Sequence, residues 1–322
     1  MKRDEIIALL GADWTRFEDL VRQCLQSDIP MLNSVNDTLL SNAGKRLRPM
    51  LSLLVAKALG GCSADSISFA AATEMIHNAT LFHDDVVDES PTRRGKPALS
   101  SMVGPSAAVL IGDFWLSRAV DLIVGTRHQS EAIKQFSAVL SRLAEGEMLQ
   151  MQKVSDNDTV EEDYLRIINC KTASLFEATC RLGACAADAD PELVEAAGRY
   201  GAALGCAFQI RDDIFDYQQG EIGKPVGIDL KERKITLPLL GAMLHAPGQE
   251  ESIRAKVRDI PEHPEYCGQI HAFVLENGGI EYASARLDDY IREALSALDA
   301  FPASASKDML VELARYNAFR NK

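Results

Sequence analysis

Apolar residues recur at intervals of three and four positions along most of this chain of 322 residues, and alternating strand-like runs are nearly absent. This periodicity predicts an almost entirely helical protein. No low-complexity linker or short repeat divides the sequence, so we expect a single all-α domain over residues 1–322. The predicted helices cover roughly 4–25, 32–41, 47–60, 65–88, 105–125, 129–153, 159–188, 190–218, 233–246, 264–277, 280–299 and 305–318.

Composition and charge restrict where a ligand can bind. Hydrophobic residues make up 47% of the chain and charged residues 25%, which is ordinary for a globular protein with a sizeable core. The net charge of −13 excludes a general attraction to nucleic acid or anionic lipid, so any phosphate site must be local. No run approaches eighteen apolar residues, which predicts a soluble chain without a transmembrane segment. Seven scattered cysteines without a CxxC pair predict free thiols in a reducing cytoplasm.

Two acidic triplets of the same form follow apolar, helix-like runs: Asp84-Asp85-Val86-Val87-Asp88 and Asp212-Asp213-Ile214-Phe215-Asp216. In a helix, positions i and i+4 share one face about 6 Å apart along the axis, so each triplet directs two carboxylates at one spot. Like charges at this spacing repel, and a bridging cation removes the repulsion. Magnesium holding a phosphorylated substrate is the hard-cation choice. One triplet alone is typical of a solvated helix face, but two in the same context favour a site to which both contribute.

Basic residues gather in short islands beside these triplets and near glycine-bearing loops. Arginine offers forked donors to phosphate oxygens and lysine offers a compact charge, which suits the binding of a diphosphate. Each island alone is an ordinary surface feature, but their joint placement favours a functional role. The islands lie at 44–49, 92–96, 171–172 and 223–234.

Seven motifs follow one another in the sequence: GKRLRP at 44–49, HDDVVDESPTRRG at 83–95, GDFW at 112–115, EGEMLQ at 145–150, KTASLF at 171–176, FQIRDDIFDY at 208–217 and GKPVGIDLKERKITLP at 223–238. In these motifs and their order the chain resembles the trans-isoprenyl diphosphate synthases, the polyprenyl synthetase family, and its medium- and long-chain members in particular. One departure lies at 231–234, where many relatives have a glycine before the lysine. Lys234 is nevertheless the expected ligand there.

The resemblance implies a single bundle of long helices around a deep central cavity, usually in a homodimer. It also implies a prenyltransferase in which a cluster of three magnesium ions binds the diphosphate of an allylic substrate. The implied metal ligands and catalytic carboxylates are Asp84, Asp85, Asp88, Asp212, Asp213 and Asp216, with Lys171 as a further catalytic residue. The implied allylic-side residues are Arg93, Lys171, Thr172, Gln209, Lys224 and Lys234, and the implied isopentenyl diphosphate site contains Lys45, Arg48, His77 and Arg94.

Three of these residues also have ordinary structural interpretations. His77 alone would be typical of a core histidine. Thr172 and Gln209 would be typical of helix polar groups bonded to the backbone. The family resemblance favours the functional interpretation of all three.

The implied reaction breaks an allylic carbon–oxygen bond, so negative charge builds on the departing diphosphate while a carbocation forms beside it. Metals and fixed cations stabilise that charge. The double bond of isopentenyl diphosphate attacks the cation and a proton is lost. The released diphosphate is the expected proton acceptor, because no side chain stands out as the base.

Product length depends on the depth of a dry tunnel. Ala79 and Thr80 lie about one helical turn before Asp84, where short-chain members of the family carry bulky aromatics. Their small side chains predict an open tunnel and a medium- to long-chain product, and Ala79→Phe should shorten it. The resemblance implies that this product is all-trans and about C30 to C50 long. The candidates for the tunnel floor, which are equally good core residues, are Leu122, Ile123, Phe136 and Val139.

Three alternatives remain: a short-chain synthase with a C15 or C20 product, a terpene cyclase and a noncatalytic regulatory subunit. A cyclase would not need the isopentenyl site suggested by Lys45, Arg48 and Arg94. A regulatory subunit could lose carboxylates that are all present here. Product analysis with farnesyl diphosphate as the primer separates the chain-length classes. The expected partners are isopentenyl diphosphate, an allylic diphosphate, a second copy of the chain and, for product release, a transient membrane contact.

Overall fold

The computed structural model describes residues 3–42, 44–93, 95–218 and 227–319, with side chains up to residue 316. Helices make up nearly all of this part of the chain, which confirms the all-α fold class. The helices are α1 (Arg3–Leu10), α2 (Ala12–Cys24), α3 (Pro30–Ser41), α4 (Leu47–Leu59), α5 (Ala64–Val87), α6 (Leu99–Val103), α7 (Pro105–Val124), α8 (Gln129–Asp156), α9 (Glu161–Ile168), α10 (Ser174–Ala186), α11 (Pro191–Gln218), α12 (Ile228–Lys231), α13 (Leu237–His245), α14 (Glu250–Arg258), α15 (Tyr266–Glu276), α16 (Gly279–Ala297) and α17 (Ala305–Phe319).

Shorter elements complete the described structure. A π-helical turn, Asn169–Ala173, links α9 to α10, and 3₁₀ turns occupy Pro247–Gln249 and Leu298–Ala300. Two strands of two residues each, β1 (Thr92–Arg93) and β2 (Lys96–Pro97), pair antiparallel. This small hairpin follows the first acidic triplet directly.

The predicted helices agree with the observed ones except at a few informative places. The segment predicted at 4–25 breaks at Gly11, whose φ of 57° lies in the left-handed region that glycine adopts readily. The segment predicted at 159–188 is interrupted by the π-helical turn. Helix α14 has no predicted counterpart, because only Ile253 and Val257 of its nine residues are buried.

The chain divides into two compact units. The first contains the residues up to Ser137 together with Ala178–Gly198 and Ala300–Leu310. The second contains Ala138–Glu177, Arg199–Asp299 and the residues from Val311 onward. Helices α8, α10, α11 and α17 contribute residues to both units. The single domain over residues 1–322 therefore stays a prediction.

Helix α5 carries the first acidic triplet at its C-terminal end. A capping box holds its start, because Ser63 Oγ accepts the Ser66 N–H at 3.2 Å and Ser66 Oγ accepts the Ser63 N–H at 3.0 Å. The buried residues Ala79, Phe82 and Asp85 follow one another at intervals of three, so they form one stripe along the helix. The middle aspartate of the triplet thus falls on the core side of α5.

Helix α7 fixes the end of α5 by close packing. The ring of Phe82 meets Trp115 edge to face, with centroids 5.4 Å apart. At Gly112 the two helices approach so closely that a Cβ atom would lie 2.3 Å from His83 Nε2. The residues directly before Asp84 are therefore held on the side that faces α7.

The core of the second unit is formed mainly by α9, α11, α13, α15 and α16. On α11 the buried residues Ile210, Asp213, Ile214 and Tyr217 follow the spacing of a single helical stripe. This stripe again places the middle aspartate of a triplet on the buried side. Asp212 is exposed on the other side.

All seven cysteines are free thiols, as the sequence predicts, and Cys180 and Cys206 are buried. Among the described helices, none is both long enough and apolar enough to cross a membrane.

Asn36 on α3 provides a test of the packing around Trp115. Its side-chain amide donates to the Leu25 carbonyl at 2.8 Å, and its Oδ1 accepts the Trp115 indole N–H at 2.9 Å. Asn36→Ala leaves both buried groups without these partners, so the free energy of unfolding should fall by about 1–3 kcal/mol in urea denaturation. Ser34→Ala, at an exposed position of the same helix, is the control. Equal stabilities of the two variants would contradict this account of the core.

Candidate active site

The first acidic triplet has one buried carboxylate and two that are more accessible. Asp85 is 2% exposed, and Arg93 Nε donates to its Oδ1 at 2.7 Å. The hairpin of β1 and β2 returns Arg93 toward α5 for this contact. Asp84 is half-buried and Asp88 is exposed. Asp85 is therefore anchored by the protein, while its two neighbours in the motif stand nearer to solvent.

The second triplet also has one buried carboxylate and two that are more accessible. Asp213 is 4% exposed and accepts hydrogen bonds from the Tyr164 hydroxyl at 2.6 Å and from Gln209 Nε2 at 2.9 Å. Asp216 is half-buried, and its two oxygens accept the backbone N–H groups of Ile228 and Asp229 at 3.1 and 3.0 Å. Asp216 thus fixes the start of α12 as well as belonging to the motif.

A cavity of about 150 Å³ lies beside Asp213 within the second unit. Its wall contains Lys171, Thr172, Gln209 and Lys234, four of the residues expected on the allylic side. Thr172 Oγ1 donates to Gln209 Oε1 at 2.8 Å, so the ordinary interpretation of both as backbone-bonded polar groups does not describe their contacts. The cavity combines cationic and hydroxyl donors in a space of the size of a small anion.

The cavity lysines are each held by a carboxylate. Lys171 forms an ion pair with Glu147 and donates to Gln150 Oε1 at 3.1 Å. Lys234 Nζ lies 2.5 Å from Glu232. Arg233, directly before Lys234, has a φ of 57°, in the left-handed region that favours glycine. The glycine that the family resemblance leads one to expect at this position would suit that backbone conformation.

Several cavity residues are not predicted from the sequence. Asp229, Tyr164 and Lys153 line the cavity. Lys153 Nζ lies 2.9 Å from Asp163 and 3.1 Å from Asp158. Tyr164 could have been found from its spacing, because it precedes Lys171 by seven residues, about two helical turns.

The carboxylates around the cavity repel one another, and this repulsion adds to burial in raising the pKa values of Asp213 and Asp229. Burial, followed by the negative charge of Asp216, raises the pKa of Asp229 to about 7. Burial and the charge of Asp229 also raise the pKa of Asp213, although its hydrogen bonds from Tyr164 and Gln209 act in the opposite direction. This concentration of carboxylates favours the entry of a cation.

In the first unit, the structure brings together two residues expected at the isopentenyl site. An Arg48 guanidinium nitrogen lies 3.0 Å from His77 Nε2. Lys45 is exposed. Arg46 points elsewhere, since it pairs with Glu18 at 2.8 Å. Arg94 and Lys224 lie outside the described residues.

The residues expected to control product length differ in burial. Ala79 is fully buried, whereas Thr80 is half-buried and its hydroxyl donates to the His77 carbonyl at 2.9 Å. Among the floor candidates, Leu122 is half-buried. The other three, Ile123, Phe136 and Val139, are buried.

Magnesium fits the donors of the triplets, which are carboxylate oxygens. Within the described ranges, no group of three or more His, Cys, Asp or Glu side chains is arranged to hold a metal ion. Magnesium is commonly bound by one or two carboxylates, waters and substrate phosphates rather than by a cage of protein ligands. The residues present therefore suit magnesium that binds together with a diphosphate.

Comparisons with known proteins agree with these observations. A family model described as Polyprenyl synthetase matches residues 29–273. The octaprenyl diphosphate synthase of Haemophilus influenzae is 36% identical over 326 residues, covering 100% of this chain and 98% of that protein. The crystal structure of a decaprenyl diphosphate synthase from Rhodobacter capsulatus has a TM-score of 0.92 and 34% identity, covering 98% of each chain.

A second solved structure carries ligands. It is a polyprenyl synthase from Caulobacter crescentus CB15 complexed with calcium and isoprenyl diphosphate. Its TM-score is 0.90 at 34% identity, and the match covers 100% of this chain and 98% of that chain.

The helical fold and the cation-lined cavity beside an acidic triplet define this protein as an all-α prenyltransferase. The chain belongs to the polyprenyl synthetase family, a magnesium-dependent family. The predictions of family, fold class and enzyme class are thereby confirmed. The roles of the individual site residues stay predictions.

Proposed function

We propose that this prenyltransferase condenses isopentenyl diphosphate with an allylic diphosphate and releases diphosphate. It makes a medium- to long-chain all-trans polyprenyl diphosphate, of about C30 to C50 as the family resemblance implies, and the small side chains of Ala79 and Thr80 suit an open tunnel. The octaprenyl synthase that matches along the whole chain favours this product class over C15 or C20. The observation that carries the proposal is the cavity in which Lys171, Lys234 and the Thr172–Gln209 pair adjoin Asp213.

The residues of the cavity suit the departure of a diphosphate. As the allylic carbon–oxygen bond breaks, charge develops on the leaving oxygens, and Lys171 and Lys234 lie in the cavity wall to stabilise it. Their pairing with Glu147 and Glu232 limits the motion of both ammonium groups. Magnesium, when bound, supplies further Lewis-acid stabilisation of the leaving group. Arg48 and His77 are proposed to bind isopentenyl diphosphate together with Lys45.

The direct test incubates the purified protein with magnesium, isopentenyl diphosphate and farnesyl diphosphate, and then measures chain lengths by mass spectrometry. Products of C30 or longer are expected, and chelation of magnesium should abolish them. Absence of any elongation would refute the proposal. A parallel incubation with geranyl diphosphate as the primer would also refute it if only C15 and C20 products accumulated.

The burial and the contacts of the aspartates divide their proposed roles. Three ions are proposed with the bound diphosphate, with the exposed Asp88 and Asp212 and the half-buried Asp84 as their main ligands. Asp85, Asp213 and Asp216 are proposed mainly to position the motifs through Arg93, Tyr164 and the start of α12, respectively.

Exchange of single aspartates in the first triplet tests this division. Asp84→Asn should raise the magnesium concentration for half-maximal activity about 10-fold or more while leaving the melting temperature near that of the wild type. Asp85→Asn weakens a buried ion pair, so its main effect should be a lower melting temperature. Magnesium titrations and thermal denaturation of both variants provide the measurement. A lower melting temperature in Asp84→Asn together with a changed magnesium dependence in Asp85→Asn would contradict the proposed roles of the two aspartates.

The tunnel argument leads to a second test, on α5. Ala79 is fully buried, so Ala79→Phe overpacks the core and should cost about 1–3 kcal/mol of stability in addition to shortening the product. Thr80 is half-buried, and Thr80→Phe should shorten the product with less loss of stability. Thr80→Val preserves the size of the side chain and is the control. Unchanged product lengths in the Thr80→Phe variant would place the tunnel elsewhere.

A homodimer is proposed from an apolar stripe on α7. Leu110, Val120 and Val124 are 67%, 52% and 50% exposed, and their spacing puts them within one stripe of the helix. Exposed large apolar side chains on one helix face suit an interface, and the exposed Asp113 and Ser117 on the same face give it a mixed polar and apolar character. The free thiols further support the proposed cytoplasmic location.

Light scattering tests the homodimer. The wild type should have about twice the chain mass of 35.2 kDa, and Leu110→Glu should shift it toward the monomer. Leu244→Glu, at a leucine that is 62% exposed on α13, should leave the mass unchanged. A monomeric wild type would exclude the dimer.

A further inference from the structure

Lys171 and Thr172 lie on the π-helical turn Asn169–Ala173, between two regular helices. A π-helical turn is wider than an α-helix, is rare, and commonly occurs at functional sites. Its backbone hydrogen bonds are less favourable than those of an α-helix, so the surrounding structure has to hold it in place. The contacts around this turn therefore decide where the two cavity side chains lie.

Two glycines contact this turn from neighbouring helices. At Gly146 on α8, a Cβ atom would lie 2.7 Å from Cys170 Cβ and 2.9 Å from Lys171 Cγ. At Gly205 on α11, a Cβ atom would lie 2.6 Å from Ala173 Cα. Neither glycine has a positive φ, so the close approach of the turn, and not backbone conformation, requires the absence of a side chain.

A polar contact holds the start of the same turn. Arg142, one helical turn before Gly146 on α8, donates to Asn169 Oδ1 and also pairs with Glu177 at 3.2 Å. Further along α8, Glu147 and Gln150 contact the Lys171 ammonium. One face of α8 thus contacts the backbone of the turn and the charged end of its lysine.

We propose that Gly146 and Gly205 are positioning residues that hold the π-helical turn and thereby keep Lys171 and Thr172 in the cavity where the allylic diphosphate binds. This inference rests on the proposed function. A methyl group at Gly146 pushes against the first carbons of the Lys171 side chain, which moves its ammonium away from Gln150. A methyl group at Gly205 pushes against the backbone beside Thr172, which disturbs its hydrogen bond to Gln209.

The experiment compares four glycine-to-alanine variants within the second unit. Gly146→Ala and Gly205→Ala contact the turn. Gly241→Ala is an equally crowded control, since its Cβ would lie 2.6 Å from Tyr282 Cβ. Gly268→Ala is the uncrowded control, since nothing lies within 4 Å of its Cβ position. Isothermal titration calorimetry with inorganic diphosphate and magnesium measures binding, and thermal denaturation measures stability.

Gly146→Ala should weaken diphosphate binding about 10-fold and raise the KM for the allylic substrate by a similar factor, with the KM for isopentenyl diphosphate unchanged. Gly241→Ala should lower the melting temperature without changing diphosphate binding, and Gly268→Ala should resemble the wild type. Gly205→Ala meets backbone and can fail to fold, so Gly146→Ala decides the result.

Lys171→Met separates failure of this inference from failure of the proposed function. If Lys171→Met weakens diphosphate binding and Gly146→Ala does not, the positioning role is refuted and the proposed site stands. If Gly241→Ala weakens binding as much as Gly146→Ala, the effect is one of general stability and the positioning role is again refuted. If Lys171→Met binds diphosphate as tightly as the wild type, the site assignment fails, and the positioning role fails with it.

Discussion

The burial of one carboxylate in each acidic triplet is the constraint on which the rest of the site depends. An ionised carboxylate out of water is costly unless donors surround it. Arg93 meets this requirement for Asp85. Tyr164 and Gln209 meet it only in part for Asp213, because burial still raises the pKa of that carboxyl. These contacts connect each triplet to a second element, the hairpin in one unit and α9 in the other.

The cationic groups of the cavity in the second unit are held by neighbouring carboxylates. Lys171, Lys234 and Lys153 are each paired with at least one carboxylate, so their charges are oriented for the proposed diphosphate. The pairing also limits the repulsion among lysines that share a small space. Asp229 and Asp213 add negative charge beside them, which suits a site for an anion accompanied by cations.

Much of the site could be predicted because its motifs are short and local in sequence. The helical periodicity located α5 and α11, and the spacing within each triplet put its first and last aspartates on a common face. The same periodicity contained a signal for the buried ones, since Asp85 follows Phe82 by three residues and Asp213 follows Ile210 by three. The spacing of Tyr164 from Lys171 was a local signal for its place in the cavity, but its contact with Asp213, 49 residues away, had none.

The sequence by itself determined the helical class, the positions of the acidic and basic motifs and the family to which they belong. The helical class follows from side-chain periodicity and the motif positions from short-range spacing, whereas the family follows from the resemblance of seven ordered motifs. Only the tertiary structure decided which donors contact the buried aspartate of each triplet, that Arg46 pairs with Glu18 while Arg48 contacts His77, and that a π-helical turn carries Lys171. These outcomes depend on packing between segments far apart in the chain, and on the desolvation cost of groups whose burial is fixed by folding.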